Sequence, residues 1–420
     1  MNDTPSTALI GTPAIRSILT GRFCSAAIST ILMVVFSIRV IDLTDNVILV
    51  GVIVALRMVG SALGALVAPR LSRVLGLPRL LLNADLAAAV IVVIAALVPA
   101  SGEVSALLAA GFVLGVTFGI SNITMISVGP ELVGKDQKHV WNGRVQTAQA
   151  LAVVFSGLLT GLIYASGPVL WLLVISAIGF VIAGFITSFH APNLPDEPPT
   201  SAAGTLNSGI TQAVAAAVPL IFVLLIVARA GEALGSGVHN VGFLLLSAEY
   251  DIQNQATLAG WLLAAWGVGK VVSGFAVPPI LGRHFAENTA MTMVFMATNI
   301  LTFCFFLAVF QVDTLLLYIV FAFLAGLFDA ATEISYYSCM QVDSRSLRDR
   351  LLNISYAVER LALFSGILIA GWVLEIIPLV PASALIYGGT ILLVLLSWVV
   401  LVLAIRSADA KGEKGKFNDI

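Results

Sequence analysis

Residues 191–212 read APNLPDEPPTSAAGTLNSGITQ. Four prolines, two acids and a run of small polar residues give this stretch the composition of an extended or flexible connector. It is the one long polar interval between apolar windows, and it falls at the middle of a 420-residue chain. Six apolar windows lie on each side of it, so the fold turns on what those windows are.

The chain is 59% hydrophobic and 10% charged, with a mean hydropathy of +1.03. Soluble domains carry about 25% charged residues, and a chain this apolar cannot cover its own surface in water. A membrane helix needs about 20 mainly apolar residues. The windows at 17–38, 47–68, 80–99, 105–128, 145–165, 168–189, 216–242, 256–279, 288–310, 314–338, 352–375 and 382–405 meet that length. Their apolar runs are continuous rather than alternating, which excludes barrel strands. The expected fold class is therefore an all-α membrane protein of twelve transmembrane helices in two six-helix bundles. The expected division is 1–190, a linker at 191–212, 213–406, and a tail at 407–420.

Lys and Arg in short loops set orientation. Arg70, Arg73 and Arg79 fall in the second loop, Lys135, Lys138 and Arg144 at the fourth, Arg283 in the eighth, and Arg345, Arg348 and Arg350 in the tenth. The odd loops hold Arg39 and otherwise acids, among them Asp42, Glu103, Asp251 and Asp313. This alternation predicts both termini in the cytoplasm. The N-terminal residues 1–15 lack a basic stretch and no cleavage site follows the first window, so a retained first helix is expected. Cys24, Cys304 and Cys339 are far apart in apolar stretches and read as small hydrophobes. No disulfide, metal or cofactor is expected, and a net charge of −2 gives no argument for nucleic acid.

The two halves repeat. Val59-Gly60 and Pro69 match Val268-Gly269 and Pro278, and Phe155-Ser156-Gly157-Leu158-Leu159 matches Phe364-Ser365-Gly366-Ile367-Leu368, all at one offset of 209. Parallel six-helix repeats, and the stretch Ala68-Pro69-Arg70-Leu71-Ser72-Arg73-Val74-Leu75-Gly76-Leu77-Pro78-Arg79 between windows two and three, resemble the major facilitator superfamily. The basic residues of that family's signature are present, Ser72 stands where its Asp would be, and Gly76 lies one residue late. The resemblance implies gating roles for Arg73, Gly76 and Arg79. Window four has no basic residue and window five no Gly-Pro pair, unlike the drug-antiporter branch. Pro130-Glu131-Leu132-Val133, Asn142-Gly143 and the run from Arg350 to Asn353 are similar to enterobactin-exporter-like members.

Charges inside the windows are the candidate site. A charge near the bilayer centre costs about 2.5–3.5 kcal/mol on insertion scales and so faces the bundle interior or water. Arg57, Arg229, Glu232, Lys270, Asp329, Glu333, Glu359 and Arg360 all lie within windows. Arg57 is about 15 Å down its helix at 1.5 Å per residue, and the repeat register brings Lys270 within a turn of it. Static pairing is one reading: four acids and four bases can neutralise one another, and Arg229 with Glu232 is an i,i+3 pair. The functional reading makes Arg57, Lys270, Arg360 and Asn122 contacts to an anionic substrate. It makes Asp329 first, then Glu232, with Glu333 and Glu359, carriers of a coupling proton. Glu333, nearer the helix end, is expected to be partly solvated. His239 reads as a proton relay or as a hydrogen-bonded helix-end residue. Gly231, Gly235 and Gly237 read as a bend or as close helix packing.

No HExxH, GxSxG, metal cluster or phosphate-binding loop occurs, so an enzyme is not expected. The leading expectation is a proton-coupled exporter of a small organic anion or amphipathic metabolite, such as a siderophore. The alternatives are a multidrug efflux antiporter, an organic-acid or sugar symporter, and a lysophospholipid flippase. Its partners would be a small molecule, protons and the lipid bilayer. The protein would be a monomer in the cell membrane, the inner membrane in a bacterium.

Overall fold

The computed structural model describes residues 11–44, 47–166, 169–193, 220–251, 253, 255–285 and 288–410. Most of the connector at 191–212, the last ten residues and the first ten lie outside the described residues. Twelve long helices account for nearly everything else: α1 (Thr12–Thr44), α2 (Val47–Leu75), α3 (Leu77–Leu97), α4 (Glu103–Ser127), α5 (Lys138–Ser166), α6 (Val169–His190), α7 in two pieces, α8 (Gln255–His284), α9 (Asn288–Val309), α10 (Leu315–Met340), α11 (Arg345–Ile376) and α12 (Leu379–Ala410). The pieces of α7 are Leu220–Gly235 and Gly237–Tyr250, broken at Ser236.

The helices overrun their apolar windows. α1 extends to Thr12 and Thr44, α5 begins at Lys138 rather than 145, and α11 begins at Arg345 rather than 352. Hydropathy measures only the stretch that lipid demands. A helix continues past it wherever its polar turns remain hydrogen-bonded and capped. Ser344 caps α11 in this way, accepting from the Leu347 backbone N–H. The second loop is a single residue: Gly76 has φ 73°, a left-handed turn that glycine tolerates, and Pro78 follows in the first turn of α3.

The repeat has a packing cause. Gly60 and Gly64 on α2 face Gly115 and Gly119 on α4 so closely that a Cβ on Gly115 would strike the Arg57 carbonyl, and one on Gly119 the Ser61 carbonyl. In the other half, Gly269 on α8 abuts the Phe323 carbonyl and Gly326 on α10 abuts the Trp266 carbonyl. Small residues replace hydrophobic drive as the means of joining helices in lipid. Both halves therefore clamp their second and fourth helices by the same backbone contact. Since Gly115 meets Arg57 and Gly326 meets Trp266, this equivalence puts Trp266 opposite Arg57. It puts Lys270 opposite Ser61, one turn away from the Arg57 position.

Aliphatic and aromatic side chains fill each half. One cluster around Leu32, Phe36, Val92 and Phe180 occupies one end of the first half, and another around Phe303, Phe306, Phe310 and Tyr387 the same end of the second. A third, around Trp141, Phe295, Tyr336 and Tyr356, runs across both halves at the end bearing the basic loops. Large apolar side chains such as Trp171, Phe185, Phe275, Trp372 and Leu385 point outward, as lipid-facing residues must.

Candidate functional site

The intramembrane charges of the second half form one network. Arg229 on α7 is its hub: Nη1 donates to Glu232, Nη2 lies 3.0 Å from Glu333 Oε1, and Nε lies 3.0 Å from Glu359 Oε2. Lys270 Nζ on α8 bridges Asp329 Oδ2 at 3.0 Å and Glu333 Oε2 at 2.9 Å. Arg360 lies 3.2 Å from Glu359 and stacks over the Tyr356 ring at 4.6 Å. Neutral donors complete the shell. The Trp266 indole donates to Asp329 at 3.1 Å, Asn299 Nδ2 to Glu232 at 3.0 Å, and the Tyr337 hydroxyl to Glu359 at 3.1 Å. Four carboxylates thus share three cations within four helices.

The carboxylates are not held alike. Glu333 and Glu359 each touch two cations, whereas Asp329 touches Lys270 and Glu232 touches Arg229. Glu333 is not the solvated residue its distance from the helix end implies. Its side chain is 14% exposed and wedged between Lys270 and Arg229, because α10 continues to Met340. Lys270, expected to reach toward substrate, is spent on Asp329 and Glu333.

Arg57 stands apart. It is 8% exposed, its Nη1 donates to the Ser29 carbonyl at 2.8 Å, and it lies over the Phe118 ring at 5.4 Å. No carboxylate pairs with it among the described residues. Asn122, expected beside it, donates to the Tyr356 hydroxyl at 3.2 Å and accepts from Gln149. Tyr356 also meets the Ser61 hydroxyl at 3.3 Å. Asn122 and Arg360 therefore meet on one tyrosine at the junction of the halves, and the same hydroxyl meets Ser61, one helical turn from Arg57.

A recess lies in the first half, bounded by α1, α3, α4, α5 and α6. At its wall is an ion pair the sequence reading passed over, Arg22 with Asp85, buttressed by the Ser25 hydroxyl on Asp85 at 2.8 Å and by Thr187. Both residues lie only five positions inside their windows, where charges usually reach the interface. What distinguishes them is that both side chains turn into the bundle, 12% and 3% exposed, where only each other and their hydroxyl neighbours can satisfy them.

The halves are joined at the basic-loop end. Asn142 Nδ2 donates to Gln341 Oε1 at 2.9 Å and to Ser338 at 3.0 Å, and Gln341 Nε2 returns a bond to Asn142 Oδ1 at 3.2 Å and another to the Ile126 carbonyl. Arg348 pairs with Glu131, Ser127 donates to Asp349, and Lys135 lies 2.9 Å from Asp343. Behind them, Gly143 and Gly274 let α5 and α8 meet backbone to backbone. Arg73 and Arg79 are exposed, and Arg73 donates to the Pro69 carbonyl of its own helix. Gly76 supplies the turn. The interlocking side chains are thus mostly ones that no motif marked; Glu131 and Asn142 lay within two of the three stretches noted for their resemblance.

In α7, Gly237 at the break presses against the Gly366 backbone of α11, and Gly366 against the Leu234 carbonyl, so break and close packing occur together. His239, expected to be hydrogen-bonded or a relay, instead stacks on Phe306 with ring centroids 4.0 Å apart, and its Nδ1 has no partner.

Twelve long helices in two like halves, eleven of them apolar enough among the described residues to cross a membrane, joined at one end with buried polar groups between them, have the architecture of a secondary transporter. The family model for the Major Facilitator Superfamily matches residues 18–345, and the chain belongs to that family. No curated protein matches it. Solved structures share the fold at low identity. The human organic anion transporter MFSD10 (TETRAN) is 16% identical with a TM-score of 0.71, over 91% of this chain and 99% of that one. A bacterial homologue of the iron transporter ferroportin in an outward-facing state is 17% identical with a TM-score of 0.64, over 93% and 98%. The proton:xylose symporter XylE, bound to 6-bromo-6-deoxy-D-glucose, is 13% identical with a TM-score of 0.68, over 93% and 96%.

Proposed function

We propose that the chain is a proton-coupled transporter of small organic anions. It would act as a monomer in the cell membrane, with the basic loops and both termini in the cytoplasm. In that orientation the interlocked end is cytoplasmic and the structure is closed toward the cytoplasm. The division into bundles at 1–190 and 213–406 is part of the same reading.

The observation that carries it is Arg57, a buried guanidinium that no carboxylate pairs with among the described residues, in contact with Ser29 and Phe118 of the recess wall, with a second guanidinium, Arg360, on the Tyr356 ring at the junction of the halves. An uncompensated buried cation is costly. An anionic ligand removes that cost and makes charge-assisted bonds. The human organic anion transporter of the same fold is consistent with this cargo.

The proton would reside on the second-half network. With every group ionised, four carboxylates against three cations leave one negative charge in a low-dielectric site. Protonating Asp329 or Glu232 gives up one ion pair, whereas Glu333 or Glu359 would give up two. Asp329 is the first candidate and Glu232 the second. An anion that draws Arg360 toward Arg57 loosens its hold on Glu359 and adds negative charge nearby, which favours binding anion and proton together. That sense of coupling is symport. A second reading, export by antiport as in siderophore exporters, rests on the stretches at Pro130–Val133 and Asn142-Gly143.

Proteoliposomes decide between them. Under symport, an external acid pulse with external benzoate drives benzoate inward; under antiport it drives preloaded benzoate outward. If neither movement depends on the pH gradient, proton coupling is wrong.

A further inference from the structure

The recess in the first half is bounded by groups that transport of a simple anion does not require. Ser29 is 3% exposed and Ser121 is 6% exposed, both line it, and neither hydroxyl has a hydrogen-bond partner among the described residues. Buried hydroxyls in native proteins are nearly always satisfied, so two orphans on one cavity wall point to a partner that comes and goes. The Gln149 carboxamide lines the same wall, held by its Nε2 bond to Asn122.

The charges there cancel. Arg22 and Asp85 pair with each other and are further held by Thr187 and Ser25. A charged group placed in the recess would be desolvated without a counter-ion. Phe118 and Phe180 supply apolar faces. The Ser29 carbonyl, at the edge of this wall, receives the Arg57 guanidinium. The recess and the cation are therefore contiguous.

We infer that this recess is a second recognition subsite. It takes a neutral, hydroxyl-bearing ring, whose hydroxyls bond Ser29 and Ser121, while an acid group on the same molecule meets Arg57. The substrate class becomes a hydroxylated cyclic acid rather than an organic anion in general. The acid half of this statement rests on the proposed anion site; the hydroxyl half does not.

Equilibrium binding to the full-length protein in detergent tests it with three probes: benzoate, 3,5-dihydroxybenzoate and neutral resorcinol. The wild type should bind the dihydroxy acid about tenfold tighter than benzoate, as two added hydrogen bonds allow, and should bind resorcinol measurably. Replacing both serines, S29A/S121A, should bring the two acids within about twofold of each other. Each single variant should show part of that loss, and all remain monodisperse. Arg57→Gln should weaken both acids and leave resorcinol unchanged. A wild type with no preference for the dihydroxy acid, or a double variant that keeps the preference, overturns the subsite. An Arg57→Gln protein with unchanged acid affinities, alongside a preference that the serine changes abolish, overturns the anion site and leaves the subsite standing. Failure of all three probes to bind overturns both.

Discussion

Gln341 is where a small perturbation should produce the largest change of state. Its carboxamide makes three bonds across the halves: it accepts from Asn142, donates to Asn142 and donates to the Ile126 carbonyl. Gln341→Ala removes all three. A buried hydrogen bond between neutral groups contributes about 0.5–1.5 kcal/mol net, so the closed basic-loop end loses about 1.5–4.5 kcal/mol. Water entering the gap re-solvates Asn142, which brings the effect toward the lower half of that range. A loss of about 2–3 kcal/mol shifts a two-state equilibrium roughly 30- to 150-fold. A population mostly closed at this end then becomes mixed or mostly open there. Spin labels at Arg79 and Arg283, exposed ends of α3 and α8 on opposite halves, report this by electron–electron distance, after Cys24, Cys304 and Cys339 are replaced. A longer distance component should appear in Gln341→Ala and grow further when Arg348→Ala removes the pair with Glu131. An unchanged distribution in a folded, monodisperse double variant would mean these bonds are bystanders, and that α5–α8 backbone packing at Gly143 and Gly274 closes the end unaided.

Other consequences follow from the same contacts. Asp329→Asn should abolish acid-driven accumulation of benzoate in proteoliposomes while counterflow persists, since the cavity is intact; retained acid-driven transport would remove Asp329 from the proton role. Tyr356→Phe deletes the hydroxyl bonded to Asn122 and Ser61 but keeps the ring under Arg360, so anion affinity should fall severalfold, and Tyr356→Ala should fall further. Gly366→Val places side-chain atoms against the Leu234 carbonyl and should cost about 1–3 kcal/mol or more, read as a melting temperature lower by a few degrees.

Lipid made much of the fold legible. Apolar length located all twelve helices, because backbone groups in hydrocarbon leave no alternative to long helices. The offset of 209 marked real equivalences, since Gly60 and Gly269 perform the same close approach. Charges at mid-window were equally visible, and Arg229, Glu232, Lys270, Asp329, Glu333, Glu359 and Arg360 do assemble in one place. What the sequence withheld was partnership. Nothing in spacing says that Lys270 turns toward Asp329 and Glu333 rather than toward Arg57. Hydropathy ranks Tyr337 and Tyr356 as ordinary helix residues, yet their hydroxyls complete the network and the junction. Asn142 and Gln341 are polar residues near helix ends, a place where polar residues are unremarkable until two halves bring them face to face.

The proposed anion and proton sites lie in different halves, so the proposed coupling needs an element that touches both, and α11 does. Tyr356 bonds Asn122 and Ser61 in the first half, and Glu359, one turn on, bonds Arg229 and Tyr337 in the second. Two turns further, Gly366 meets α7 backbone to backbone at its break. Such a contact has no flexible side chain to absorb a shift, so movement of α11 passes to Ser236 and to Glu232 one turn before it. A ligand that displaces Tyr356 from Asn122 therefore alters the Glu359–Arg229 and Glu232–Arg229 pairs together. Arg229 holds three carboxylates at once, and a small rotation cannot preserve all three bonds. Releasing one strands a carboxylate in low dielectric, where taking up a proton is the least costly repair. On this reasoning the break in α7 and the glycine on α11 are part of the coupling itself. Gly366→Val, with Tyr356 intact, should then uncouple proton from anion movement at a temperature where the protein is still folded; coupling preserved in that variant would locate the link elsewhere.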